Sequence, residues 1–155
     1  ARAIVAGLVE LGFDDIVLAG RRPEALEAFQ AACLSWAPQL RPLSWDNRIS
    51  ATLSQVDLLV NTTPVGMVSA TDAASALACP LSDAELEALS ARAWVYDLIY
   101  TPRPTALLER AQAKGCRSLD GLRMLVEQGA ASLRLWSGQH EVPVEVMLQA
   151  ALRQL

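Results

Sequence analysis

The chain has 155 residues, 52% of them hydrophobic and 19% charged, with a formal net charge of −4. That is one domain's length, too apolar for a disordered tail and without any run near the ~18 apolar residues that cross a bilayer, so a soluble, cytoplasmic globular domain is expected. Thirteen scattered basic residues predict neither a nucleic-acid nor a membrane surface, and Cys33, Cys79, Cys116 and His140, far apart and without a CxxC pair, predict neither disulfides nor a metal site.

Residues 1–11 carry Ile4, Val5, Leu8 and Leu11 at helical spacing and stop at Gly12. A short β-type run at 16–19 meets Gly20, and Pro23 suits the first turn of a second helix through Leu26 and Phe29 to about Leu34. Residues 40–43 read as a weak strand that Pro42 confines to an edge or a strand end. Residues 56–60 form a continuous apolar strand apart from Asp57, running into Asn61-Thr62-Thr63-Pro64-Val65-Gly66-Met67. Ser82 and Glu85 make a capping box for a short helix holding Leu86 and Leu89. A strand at 93–98, a turn at 101–104, a helix at about 105–114 and a strand at 116–119 follow. Asp120-Gly121 leads into a long helix to about Trp136, with Leu122, Leu125, Val126, Ala130, Leu133 and Trp136 on its apolar side. Pro143 opens a final helix carrying Val146, Leu148 and Leu152.

Helices alternating with continuous apolar strands predict an α/β domain with a parallel sheet covered by helices on both faces. Ligands of such sheets bind outside the carboxyl ends of the strands. The residues there are Gly20-Arg21-Arg22, the stretch 61–67, the stretch 97–100 and Asp120-Gly121. In a dinucleotide-binding sheet an acid after the second strand accepts from the adenosine ribose and selects NAD. Here Gly20 is followed by two arginines, suited to the 2′-phosphate of NADP by charge-assisted hydrogen bonds. The same pair also suits a plain solvated helix start. Asn61-Thr62-Thr63-Pro64 reads equally as a capped strand end, Tyr100 as a core aromatic with its hydroxyl at the surface, and Met124 as a helix packing residue. Gln128 lies one turn after Met124 on the same helix face.

Taken together and in order, VELGFDDIVLAGRR near the start, VDLLVNTTPVGM at 56–67, VYDLIYTPRPTALLERAQAKG at 95–115 and DGLRMLVEQGA at 120–130 resemble the carboxyl-terminal, NADP-binding domain of the shikimate dehydrogenase family. The resemblance covers essentially the whole chain. It implies a Rossmann-like, doubly wound, mostly parallel sheet and an oxidoreductase passing hydride between NADPH and 3-dehydroshikimate to give shikimate, in chorismate and aromatic amino acid biosynthesis. It also implies one NADP-binding domain over residues 1–155. The last helices, about 121–155, would pack back towards a substrate domain absent from the chain.

Residue by residue, Arg21 matches an Arg in the family's Asn-Arg-Thr motif that contacts the 2′-phosphate. Gly20 and Arg22 stand where the family often has Asn and Thr, and the added charge of Arg22 favours NADP. Asn61, Thr62 and Thr63 match a stretch beside the cofactor. Leu98 and Gly121 match positions whose backbone approaches the nicotinamide end, and Met124 a methionine near that ring. Tyr100 and Gln128 match residues that hydrogen-bond the small-molecule substrate.

The family's amino-terminal substrate domain with its catalytic Lys and Asp, its first Rossmann strand and its glycine-rich GAGGA loop have no match in residues 1–155, which open at Ala1 inside the first helix. The chain alone is therefore expected not to catalyse. An open sheet edge or apolar surface would favour association, a homodimer being one form of it. The alternatives are a quinate-using or dual-specificity relative and a non-catalytic nucleotide-binding module.

Overall fold

A computed structural model describes residues 1–46, 49–69 and 71–154. The backbone divides into two compact units, Ala1–Leu53 and Ser54–Leu155.

The first unit contains α1 (Arg2–Glu10), β1 (Ile16–Gly20), α2 (Pro23–Cys33), β2 (Leu40–Ser44) and α3 (Ile49–Leu53). β1 and β2 run parallel, with Ile16 opposite Leu40 and Gly20 opposite Ser44. Pro42 has no N–H for a ladder on its free side, and β2 tolerates it because β1 is its one described strand partner. α2 starts with Pro23 in its first turn, where the missing N–H is no loss, and packs on both strands. Val5, Ile16, Cys33, Ala37 and Leu40 are buried together, with Phe13, Phe29 and Trp36 packed around them. α3 was not expected from sequence. It is held by burial of Ile49 and Leu53, four residues apart, a segment too short to display a helical period.

The second unit contains β3 (Leu58–Asn61), a 3-10 turn (Ala73–Leu77), α4 (Asp83–Ala88), β4 (Trp94–Asp97), α5 (Ala106–Ala113), β5 (Arg117–Leu119), α6 (Leu122–Ser137) and α7 (Val144–Leu152). Its strands are parallel in the order β3-β4-β5, with Asn61 opposite Asp97 and Trp94 opposite Arg117. That last pairing sets the Arg117 guanidinium over the Trp94 ring at 5.3 Å. The capping box is present: the Glu85 N–H donates to Ser82 Oγ at 3.3 Å and the Ser82 N–H to Glu85 Oε2 at 2.7 Å. Thr105 caps α5 by accepting from the Leu108 N–H. The 3-10 turn, also unexpected, is capped by Asp72, whose side chain accepts from the Ala74 N–H.

Two further expectations need correction. β3 begins at Leu58 rather than Val56, because Asp57 stays exposed, and it runs on through Asn61. The single sheet is found as two parallel pieces, β1-β2 and β3-β4-β5. Among the described residues the strands pair only within each unit.

The apolar side of α6 is narrower than its pattern suggests. Leu122, Val126 and Ala130 are buried, whereas Leu125, Leu133 and Trp136 are exposed, Trp136 by 80%. α7 packs on α6 yet buries no residue, and its Val146 and Leu152 are also exposed. No described helix is long and apolar enough to cross a membrane.

Leu40 is 1% exposed in the first unit, and Gly7 lies inside α1 with no atom near a would-be Cβ. Leu40→Ala should cost about 2–5 kcal/mol through lost burial and a cavity. Gly7→Ala should add about 0.5–1 kcal/mol through helix propensity. Urea unfolding followed by the fluorescence of Trp36, which packs on this core, checks both.

Candidate cofactor and substrate site

The second unit brings three strand-end loops together, and a buried carboxylate organises two of them. Asn61 ends β3 and Asp97 ends β4 in the facing register. Asp97 is 0% exposed and Thr105, at the start of α5, 1%. Asp97 Oδ1 accepts from Asn61 Nδ2 at 3.0 Å and from the Ile99 N–H at 3.1 Å, while Oδ2 accepts from the Thr105 hydroxyl at 2.7 Å. Burial pushes the Asp97 carboxyl above its ordinary value, against the lowering effect of the three donors, and the Asp120 charge adds to the rise.

Asn61 carries the order into the loop that follows it. Its amide also donates to the Val65 carbonyl at 3.3 Å, and its Oδ1 accepts from the Thr63 N–H at 3.0 Å and the Thr63 hydroxyl at 2.8 Å. Both hydrogens and both lone-pair directions of the amide are committed inside the protein, and the residue is 5% exposed. Thr63 is engaged as well, its oxygen accepting from the Val65 N–H at 3.2 Å. The Thr62 hydroxyl, by contrast, has no hydrogen bond to the described residues. Gly66 turns this loop at a φ of +98°, which a side chain rarely adopts, and a Cβ there would stand 3.0 Å from the Ala78 carbonyl oxygen. The Val68 N–H reaches the Thr101 carbonyl, tying the loop after β3 to the loop after β4.

The third loop follows β5. The Gly121 N–H donates to the Ile99 carbonyl at 3.1 Å, and a Cβ on Gly121 would lie 1.9 Å from the Leu98 carbonyl oxygen. Its φ of −78° suits any residue, so the requirement for glycine is purely one of space. Asp120 Oδ1 accepts from the Leu122 N–H at 3.0 Å, and its other oxygen pairs with the Arg103 guanidinium from the 101–104 turn. Leu98 and Gly121 are thus in close backbone approach, and the Leu98 N–H in turn donates to the Asn61 carbonyl. Met124, half-buried, lies one turn into α6, and Gln128, exposed, one turn beyond it. Tyr100 is exposed.

In the first unit, Gly20 closes β1 and Arg21 and Arg22 follow it, both exposed. Arg22 is the residue before the first turn of α2, and its side chain does no capping. Neither arginine has an ion-pair partner among the described residues. The Arg21 guanidinium stands over the Trp45 ring at 5.9 Å.

Sequence reasoning gave no role to Asp97, Thr105 or Trp45. Asp97, a charge ending an apolar strand, with a hydroxyl eight residues on, was the signal available for the buried network. A cavity of about 530 Å³ lies beside α5 and β5, lined by residues including Arg103, Leu108, Ser118 and the strand-end residue Asp120, and by none of the residues matched to cofactor or substrate contacts. The described residues contain no group of three metal-binding side chains.

The sequence profile of the Shikimate 5'-dehydrogenase C-terminal domain matches residues 121–152. A shikimate dehydrogenase (NADP(+)) of a Synechococcus strain is 48% identical over 155 residues, covering all of this chain and 52% of that protein. The chain matches the carboxyl-terminal part of the shikimate dehydrogenases. It spans about half the length of the curated relatives it matches. The crystal structure of shikimate 5-dehydrogenase from Thermus thermophilus in complex with NADP(H) and shikimate superposes with a TM-score of 0.77 at 30% identity, over 99% of this chain and 51% of that one. Quinate dehydrogenase from Corynebacterium glutamicum in complex with NAD gives 0.79 at 26% identity, over 99% and 51%. The fold is therefore Rossmann-like, as in these two dehydrogenases.

Three substitutions test the strand-end geometry. Gly121→Ala should cost about 3 kcal/mol or more, because the clash is with backbone that no rotamer relieves. Asp97→Ala should lose about 2–4 kcal/mol by leaving buried donors unpaired, and Asp97→Asn less. Since folding raises the Asp97 pKa, the folded state holds the proton more tightly than the unfolded state. Wild type should then lose stability relative to Asp97→Asn as pH rises from the ordinary carboxylate range through the raised value. Urea unfolding across pH, followed by circular dichroism, reads all three variants.

Proposed function

We propose that the chain is the cofactor-holding part of an NADP-dependent oxidoreductase that interconverts 3-dehydroshikimate and shikimate, a step towards chorismate and the aromatic amino acids. The observation that carries this reading is the match along the whole chain to enzymes named as NADP-dependent shikimate dehydrogenases.

The donor set fits the cofactor. The residues after β1 are Gly20, Arg21 and Arg22, with no carboxylate to accept from a ribose hydroxyl. Two exposed guanidiniums without described ion-pair partners suit a phosphate dianion. When bound, NADPH supplies the hydride.

This chain's residues bind and orient. Arg21 and Arg22 take the 2′-phosphate, the Thr62 hydroxyl and the loop held by Asn61 and Thr63 lie along the cofactor, and the backbone of Leu98 and Gly121 with Met124 borders the nicotinamide. Asn61 and Thr63 act through the loop they shape, since their polar side-chain groups are internally committed. Tyr100 and Gln128, both exposed, hydrogen-bond the substrate from the β4 and α6 sides. Ketone reduction also needs a proton donor. No residue of 1–155 is assigned that role, so the reading places it on a separate substrate domain, against which α6 and α7 pack, and the chain by itself should not turn over. The buried or half-buried, unpaired state of Cys33, Cys79 and Cys116 supports a cytoplasmic setting. Self-association of this half as a homodimer belongs to the same reading.

Quinate is the competing substrate, favoured by the likeness to quinate dehydrogenase, a structure holding NAD. The two arginines argue against NAD here.

Titration with NADPH and NADH checks the cofactor. NADPH should bind about tenfold or more tightly, through charge-assisted bonds that NADH lacks, and the double variant Arg21→Ala/Arg22→Ala should remove the difference. Equal affinities would overturn the clamp. Mixing the chain with the amino-terminal half of the Synechococcus relative should restore NADP-dependent oxidation of shikimate over quinate. A faster quinate reaction, or none with either, would contradict the substrate assignment.

A further inference from the structure

The parallel register of the first unit does more than present two arginines. Gly20 and Ser44 face each other at the ends of β1 and β2, so the next residues, Arg21 and Trp45, leave two neighbouring strands side by side. The Trp45 N–H donates to the Gly20 carbonyl at 2.8 Å, extending the ladder by one bond and fixing the backbone of both positions. Trp45 is half-buried, whereas Arg21 is exposed, and the guanidinium carbon of Arg21 stands 5.9 Å from the centre of the Trp45 ring.

An exposed arginine on a flexible stem samples many rotamers, and binding an anion costs the entropy of choosing one. An indole face under the guanidinium narrows that choice by cation–π attraction. A cation–π contact uses none of the guanidinium N–H groups as hydrogen-bond donors, so they stay available for bidentate bonds to phosphate. Arg22 has no such platform among the described residues. It sits before the first turn of α2, where Glu24 already answers the positive end of the helix dipole.

We propose that Trp45 is a positioning residue for 2′-phosphate selectivity: it holds Arg21 as a preformed fork, while Arg22 contributes charge alone. This rests on the NADP reading of Arg21 and Arg22, and no contact between Trp45 and the nucleotide is needed for it.

The test compares two probes that differ only in the 2′-phosphate, adenosine 2′,5′-bisphosphate and 5′-AMP, titrated against the whole chain. Wild type should prefer the bisphosphate. Trp45→Leu should reduce that preference about two- to fivefold with 5′-AMP affinity unchanged, which also shows that the variant is folded, and Trp45→Phe should keep most of it. In an Arg21→Ala background Trp45→Leu should have no further effect, since the coupling runs through Arg21. The bisphosphate, and not 5′-AMP, should change the tryptophan fluorescence of wild type, and the change should be missing from Trp45→Phe. An undiminished preference in Trp45→Leu, an equal loss for both probes, or the same loss with and without Arg21 would each overturn the proposal while leaving the clamp standing. No preference in wild type would overturn the clamp itself and this proposal with it.

Discussion

A single buried carboxylate sets the geometry on which the proposed site depends. Asp97 has no contact with solvent, yet it accepts three hydrogen bonds, from the end of β3, from the chain just after β4 and from the residue that caps α5. Burying a carboxylate is costly unless its oxygens are satisfied, and removing any partner would strand polar groups in an apolar interior. The neighbouring strand ends and the start of α5 are therefore fixed together. Because the strands are parallel and in register, every loop leaving their carboxyl ends inherits that order.

From this anchor the arrangement spreads by short steps. Asn61 passes it to the loop at 61–67 by committing its whole amide, and that loop is tied to the next through Val68 and Thr101. The Ile99 N–H donates to Asp97, and the Ile99 carbonyl accepts from Gly121, so the β5–α6 loop is registered on the same network. The missing Cβ of Gly121 lets two backbones meet at Leu98. A surface made of backbone held by a buried network is stiffer than one made of long side chains, which suits the proposed role.

Much of this was legible in the sequence because it follows from local rules. Pro23, the Ser82 and Glu85 pair and the apolar runs at 56–60 and 93–98 each have one physical reading, and the structure shows helices and strands there. Pro42 confined β2 to an edge or a strand end, and β1 is its one described partner. What was not legible depends on distant partners. Whether Asp97 is a surface charge or a buried hub is settled by Asn61, 36 residues away, and the pairing of Arg21 with Trp45 by the register of two strands. The exposure of Leu125, Leu133 and Trp136 likewise reflects what packs on α6, which periodicity does not reveal.

The central claim is that the strand ends of each unit meet nucleotide, and amide chemical-shift mapping tests it most directly. NADP⁺ added to the ¹⁵N-labelled chain should perturb the amides of Arg21 and Arg22 in the first unit. It should also perturb those of Thr62 to Gly66, Leu98, Gly121 and Met124 in the second. Removing the 2′-phosphate by using NAD⁺ should silence the first set more than the second. Shifts confined to the opposite strand ends, near Trp94 and Arg117, or to the α6 and α7 surface, would contradict it.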